Sequence, residues 1–424
     1  MNNRVFFALL FLLGPATLSF SQNREYAEST IDKLAGPEFH GRGYTNDGAL
    51  KAADYIKAEM IKNGIESHEN GFYHHFSLKV NTFPNDIFCS VDSKELTVGR
   101  DYIVNPKSGD FQGSMPSYFL SSNDLLIKKK RRKAIRKTKK KRILVLDTIP
   151  AKSKSHRSAI GEVRSEFKGK ALIELNADLT WSTGREQLPH ASLRMLPENY
   201  KRSSKVMIDV DAEFIPNQKA VNVLGLIPGT AVPDSFIFLT GHYDHLGDMG
   251  QTYIPGANDN ASGIAMILDM VKHYKAHPPR YTIVFIAFSG EEAGLVGSYF
   301  FVKELKEWFE PSKIKFVVNM DLMGSGQQGI MAVNGKIYKG EFELLKGLND
   351  EKNYLTKVKK RGKAANSDHY YFSENGIPAF FFYLMGPYSY YHEIDDSPEN
   401  LELDEYYDKS FLLIRDFIDA LQKN

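Results

Sequence analysis

The chain has 424 residues, a net charge of +2 and one cysteine, Cys89, so it carries no internal disulfide and depends on a packed core. At about 400 residues beyond its N-terminal segment, two domains are expected. No segment approaches 18 consecutive apolar residues, which excludes a transmembrane helix.

Residues 1–21 combine Arg4, an apolar run to Leu13 and small residues at Ser19 and Ser21. This is a signal-peptide pattern cut before Gln22, and it implies an exported protein, periplasmic or secreted. Residues 22–85 form the N-terminal part of the main domain. Leu50, Ala53, Ile56 and Met60 mark an amphipathic helix that stops at Gly64. Residues 86–214 change character. Short alternating segments (90–98, 143–145, Ala171–Leu175, Lys205–Val210) between Gly, Asn and Ser turns predict a small β-rich insert without candidate ligands.

Within the insert, 128–142 holds 12 basic residues in 15 positions; without them the rest of the chain is at −10. Residues 123–141 could be a helix with a weak apolar face at Leu126 and Ile135, and a solvated helix or loop is the expectation. The alternative is a patch for an anionic surface or polymer. No aromatic side chains are interleaved, so nucleic acid is not an expected partner.

In 215–424, four apolar runs read as buried strands: 236–240, 283–288, 316–318 and 378–384. Ile264, Ile267, Leu268 and Val271 give 261–274 helical spacing. Such alternation indicates an α/β fold, a three-layer αβα sandwich around a largely parallel, mixed sheet. Ligands of open sheets bind at the carboxyl ends of the strands. His242, Glu291, Glu292, Asp321 and His392 follow the four runs, and Asp259 stands at the helix start. Individually these could be a structural histidine, a helix cap, a solvated Glu-Glu loop and a turn residue; all four readings would have to hold at once. Two histidines and three carboxylates hold two divalent metals if one carboxylate bridges, leaving one glutamate to move a proton. Asp244 suits an outer role, accepting the imidazole N–H of His242. His245, His273 and His277 match no ligand spacing and read as surface or outer residues.

Gly-His-Tyr-Asp-His-Leu-Gly, Asn-Asp-Asn-Ala-Ser-Gly, Ser-Gly-Glu-Glu-Ala-Gly, Asn-Met-Asp and Tyr-His resemble, in order and spacing over about 216–424, the co-catalytic zinc aminopeptidase family. That family also contains glutamate carboxypeptidases and glutaminyl cyclases. The resemblance implies two Zn2+ bridged by Asp259, with His242 and Asp321 on one, Glu292 and His392 on the other, and Glu291 as general base. It also makes Asp259–Asn260 a candidate cis peptide. The segment 34–43, Leu-Ala-Gly-Pro-Glu-Phe-His-Gly-Arg-Gly, resembles the N-terminal segment of exported members, and 86–214 resembles the protease-associated insert of some relatives. Ser367-Asp368-His369 resembles a segment near the substrate cleft, where Asp368 and His369 would contact substrate or cap a helix. Tyr388, Tyr390 and Tyr391 would line the pocket mouth. The implied activity is removal of N-terminal residues from a peptide substrate. A carboxypeptidase or dipeptidase, a cyclase-like acyltransferase and a binding protein without catalysis are the alternatives. The sequence leaves the oligomeric state open.

Overall fold

The computed structural model describes residues 23–139, 141–149 and 153–423, so the signal-like segment 1–21 lies outside the described residues. Its centre is an eight-stranded sheet. The order is Tyr73–Thr82, Glu213–Ile227, Tyr281–Phe288, Val232–His242, Ile314–Met320, Ala379–Met385, Gly329–Val333, Val358–Lys360. Strands three to six in that order run parallel; the first three pair antiparallel with one another, as do Ala379–Met385 and Gly329–Val333. Side chains alternate across a strand, and this sorts the core into two layers. Ile237, Leu239, Ile283, Phe285, Phe316 and Val318 meet the helices Arg24–Leu34, Gly48–Lys62, Ser262–Ala276 and Glu405–Leu421. Phe238, Val284, Ile286, Phe288 and Val317 meet Phe301 and Phe372, from Val296–Lys303 and His369–Glu374. Burial on both faces is why these strands read as continuous apolar runs. Each fully buried Phe or Ile contributes about 1.5–3 kcal/mol of transfer free energy. The result is the expected three-layer sandwich with a mixed sheet.

The Gly48–Lys62 helix buries Ala49, Ala52, Ala53, Ile56 and Met60, whereas Leu50 is 46% exposed. Ala53, Ile56 and Met60 thus face inward as expected, and Leu50 alone points outward.

Residues 88–210 build a second eight-stranded sheet. In it Phe111–Leu120, Ile143–Asp147, Ala171–Leu175 and Ala191–Met195 run parallel. Helices Lys128–Thr138 and Lys154–Glu166 cover one face through Ala134, Ala159, Ile160 and Val163. The other face packs on Leu246, Met249 and Ile254 of the main domain. This region is rich in strands, and it carries helices as well. Its parallel strands are buried on both faces, which requires crossover helices. The basic run forms one of them: the single helix expected over 123–141 breaks into Ser122–Leu125 and Lys128–Thr138. Its inner side is Ala134, Thr138 and Arg131, with Ile135 half-buried against the same cluster as expected, whereas Leu126 is 46% exposed. Arg131 donates to the Leu125 carbonyl and pairs with Glu162. The neutralised guanidinium can thus be buried, while Lys128, Lys129, Lys130, Arg132, Lys133, Arg136 and Lys137 stay exposed on the outer side of a solvated helix, as expected.

Candidate metal centre

His242 ends the Val232–His242 strand and is 1% exposed. Its Nε2 lies 3.3 Å from Asp259 Oδ1 and 3.4 Å from Asp321 Oδ1. His392 Nε2 lies 3.1 Å from Asp259 Oδ2 and 3.3 Å from Glu292 Oε1. The two oxygens of Asp259 thus face two different histidine–carboxylate sets.

Asp259 is held there by its own loop. It lies not at a helix cap but in the wide turn Ala257–Ala261 that precedes Ser262–Ala276, and its peptide to Asn260 is cis, as the resemblance implied. Asp396 accepts the N–H groups of Asn258 and Asp259 at 2.8 and 3.1 Å. The Asn260 amide donates to the carbonyls of His242 and Met320, tying the loop to two strand ends. Gly256 enters the loop at φ +64°, and a Cβ there would stand 2.2 Å from the Asp259 carbonyl; only glycine fits. Beneath, Arg42 is fully buried and donates to five main-chain carbonyls, including those of Gly256 and Asp259.

Asp321 follows Ile314–Met320. Ser367 Oγ donates to its Oδ2 at 3.2 Å, Asn319 donates to Ser367, and Thr240 donates to Asn319. Its Oδ1 is buried and accepts no hydrogen bond. A buried carboxylate oxygen without a donor is a place for a cation.

Asp244 departs from its expected role. His242 Nδ1 meets the Asp244 main-chain carbonyl at 3.0 Å, while the carboxylate stands 3.9 Å away. The chain turns directly after the strand, which brings the carbonyl under the ring. The carbonyl fixes the Nδ1–H tautomer and leaves Nε2 to face Asp259 and Asp321. The Asp244 carboxylate instead accepts the Glu291 N–H and the Tyr44 hydroxyl, at 3.2 and 3.1 Å, so it positions the Glu291 main chain. His245 is also misplaced by spacing. It is fully buried, with Nδ1 2.8 Å from Glu292 Oε1 and 4.0 Å from Asp259 Oδ1. Its ligand atom clusters with those of Asp259 and Glu292 within 4.8 Å, as do the sets His242–Asp259–Asp321 and His242–Glu291–Glu292. His273 and His277 stack on each other at the end of the Ser262–Ala276 helix and belong to none of these sets.

Trp181 comes from the second sheet's side and braces His392. Its N–H donates to the His392 carbonyl at 2.9 Å, and His392 Nδ1 donates to the Trp181 carbonyl at 3.1 Å. Nothing in the spacing of single residues signalled this contact, because 211 positions separate the pair.

The strand ends open into a cleft of about 220 Å3, lined by His242, Asp259, Glu291, Asp321 and His392 together with Arg361, Tyr383 and Tyr391. Of the expected mouth tyrosines only Tyr391 is there, its ring stacked on His392 at 3.9 Å. Tyr390 packs edge-on against Tyr388, and Tyr388 donates to Asp396. Asp368 is buried beside the site but makes no cap hydrogen bond, and His369 is sealed against Phe381. Neither lines the cleft, because the short His369–Glu374 helix turns both inward.

Burial, reinforced by Glu292, Asp368 and Asp321, holds Glu291 well above the usual carboxylate range. Burial lifts Asp368 to about 7 and Asp244 to about 6. Burial pushes Glu292 up as well, but the charge of His392 and hydrogen bonds from His245 and His392 outweigh it and hold Glu292 at about 2. Burial pulls His392 down; Glu292 and Asp259 more than offset that and raise it to about 11. So many carboxylates in one buried cluster require matching positive charge. In the protein alone histidine protons supply it, and divalent cations fit the same positions.

Residues 222–415 match peptidase family M28. Aminopeptidase YwaD of Bacillus subtilis is 28% identical over 226 residues, 49% of this chain and 46% of that protein. A probable zinc metalloprotease of Pyricularia oryzae is 36% identical over 110 residues, 25% of this chain and 22% of the relative. The matches thus span less than half of either curated relative. The solved structure of BSAP, a zinc aminopeptidase from Bacillus subtilis, superposes with a TM-score of 0.66 at 18% identity. It covers 94% of this chain and 93% of its own, and so shares the fold. The strand order and the site geometry thus agree with the similarity of residues 222–415 to peptidase family M28.

Proposed function

We propose that the protein is an exported zinc aminopeptidase that hydrolyses the N-terminal residue from peptides, with two Zn2+ per chain. The observation that carries this reading is the split of Asp259, one oxygen toward His242 and Asp321, the other toward His392 and Glu292. His242 and Asp321 would hold one ion, His392 and Glu292 the other, and Asp259 both. Bound there, the two ions supply Lewis acidity for a water and for the scissile carbonyl. Glu291 takes the proton of the attacking water and returns it to the leaving amine. Its raised proton affinity suits that exchange, and Asp244 keeps its main chain in place. Asn260, Ser367 and Trp181 orient the groups that hold the ions. Export rests on the pattern at 1–21, and no helix among the described residues is long and apolar enough to cross a membrane. Residues 86–214 are proposed as a protease-associated-like insert on their position in the chain.

The test is a screen of aminoacyl, acyl-aminoacyl and dipeptide substrates with zinc or cobalt restored after chelation. Metal-dependent release from substrates with a free α-amine supports the reading. Equal or faster cleavage of the acyl-blocked set contradicts it.

A further inference from the structure

We propose that Arg361 binds a carboxylate of the substrate, so that the cleft favours substrates bearing a negative charge next to the scissile bond. This rests on the peptidase reading of the same cleft. Arg361 follows the edge strand Val358–Lys360 and its main chain is fixed: its N–H donates to the Ala332 carbonyl at 2.9 Å and its carbonyl accepts the Lys336 N–H at 3.1 Å. The side chain then reaches the cleft that His242, Asp259, Glu291 and His392 line, and donates from Nη1 to the Tyr383 hydroxyl at 3.2 Å. Tyr383 lies on Ala379–Met385, opposite Met331, so one hydrogen bond ties the exposed Arg361 side chain to the sheet.

Its neighbours show what is unusual about it. Lys360 pairs with Glu343 and Lys363 with Glu374. Arg361 lies between them and forms no ion pair with any described residue, although the cleft beside it is rich in carboxylates. Those carboxylates are committed to the candidate metal sets deeper in the site. A guanidinium carries five N–H donors in a planar fork that matches a carboxylate. One donor is used on Tyr383. The others remain, and the Tyr383 hydroxyl, having accepted from Arg361, can donate its own proton to the same ligand. The cleft, at about 220 Å3, is smaller than the roughly 300–1,000 Å3 of sites for drug-sized ligands. A substrate group there stays within side-chain reach of Arg361. The carboxylate can come from an acidic side chain of the N-terminal residue or from the free C-terminus of a dipeptide.

The experiment compares kcat/KM of the zinc-restored protein on two pairs, each differing in one charge. The glutamyl and glutaminyl 7-amido-4-methylcoumarins test the side chain; Leu-Leu and Leu-Leu-amide test the C-terminus. In one arm the wild type should prefer the carboxylate by about 10- to 100-fold, the range for a charged hydrogen bond left unmade. Arg361→Gln should bring that ratio to near one, and Arg361→Lys should fall between. The arm that responds identifies the source. A wild-type ratio below threefold in both arms, or a preference that Arg361→Gln leaves intact, overturns the proposal while the peptidase reading stands. Absence of hydrolysis of all four compounds by zinc-loaded protein overturns the peptidase reading itself, and the proposal with it.

Discussion

Arg42 lies under the proposed metal loop without touching a ligand atom. Replacing it with Met keeps much of the volume and removes the charge and all five donors. The bonds lost are to the carbonyls of Tyr243, Leu34, Pro255, Gly256 and Asp259, at 2.7–3.2 Å. Burial lowers Arg42 to about 10, with Asp396, Asp259, Asp244 and Glu292 opposing, so it stays charged at neutral pH. At about 1.5–3 kcal/mol per charged hydrogen bond the five would total about 7–15 kcal/mol. That is an upper bound, because one side chain makes them all and its own desolvation cost disappears with it. A loss of about 3–5 kcal/mol is expected, a large part of the roughly 5–15 kcal/mol that holds a typical protein folded. Denaturant titration of the chelated protein measures it, and zinc titration of folded Arg42→Met should show weaker binding, because Asp259 loses its support. Arg42→Lys should recover less than half, since one ammonium cannot span five carbonyls. A midpoint shift worth less than 1 kcal/mol, with zinc affinity unchanged, would refute the account of this loop.

Glu291→Gln should keep its zinc and lose about 10²–10⁴ in kcat, whereas Glu292→Gln should lose zinc affinity first; metal content beside single-turnover rates decides, and the opposite pattern would exchange the two roles. His392 is raised to about 11 in the protein alone, so at neutral pH it carries a proton that zinc must displace. Zinc affinity should therefore rise with pH, about tenfold per unit for each proton released, and calorimetry in buffers of different ionisation enthalpy counts those protons. Changing Lys128, Lys129, Arg132, Lys133 and Arg136 to Gln should keep small-substrate turnover within twofold, because this face of the helix borders a surface groove that shares no residue with the cleft lining. If that face is an adhesion surface, the same change shortens salt-sensitive retention on an anionic matrix.

The strands that carry the site were legible because burial on both faces writes unbroken apolar runs, and each run ends on a polar residue with one evident use. His242, Asp321, Glu291 and Glu292 were placed by that rule. What escaped depends on where the chain folds back. His245 fits no ligand spacing, yet the turn after the strand carries it under Glu292. Asp244 was assigned by its side chain, but its carbonyl does the work at His242. Arg42, Trp181 and Arg361 reach the site from distant segments, and nothing local distinguishes them from ordinary surface or packing residues. In the second sheet the strands at 143–147, 171–175 and 205–210 were legible, and the helix Lys154–Glu166 was not, because its buried side is only Ala159, Ile160 and Val163 among charged and polar residues.

The claim on which everything else rests is that Asp259 joins two cations. A crystal of zinc-loaded protein, measured on both sides of the zinc absorption edge, tests it directly. Two anomalous peaks are expected, roughly 3.5–4 Å apart, one beside His242 and Asp321, the other beside His392 and Glu292, with a carboxylate oxygen of Asp259 at each. A single peak at saturating zinc, or two peaks with Asp259 touching only one, would contradict the account.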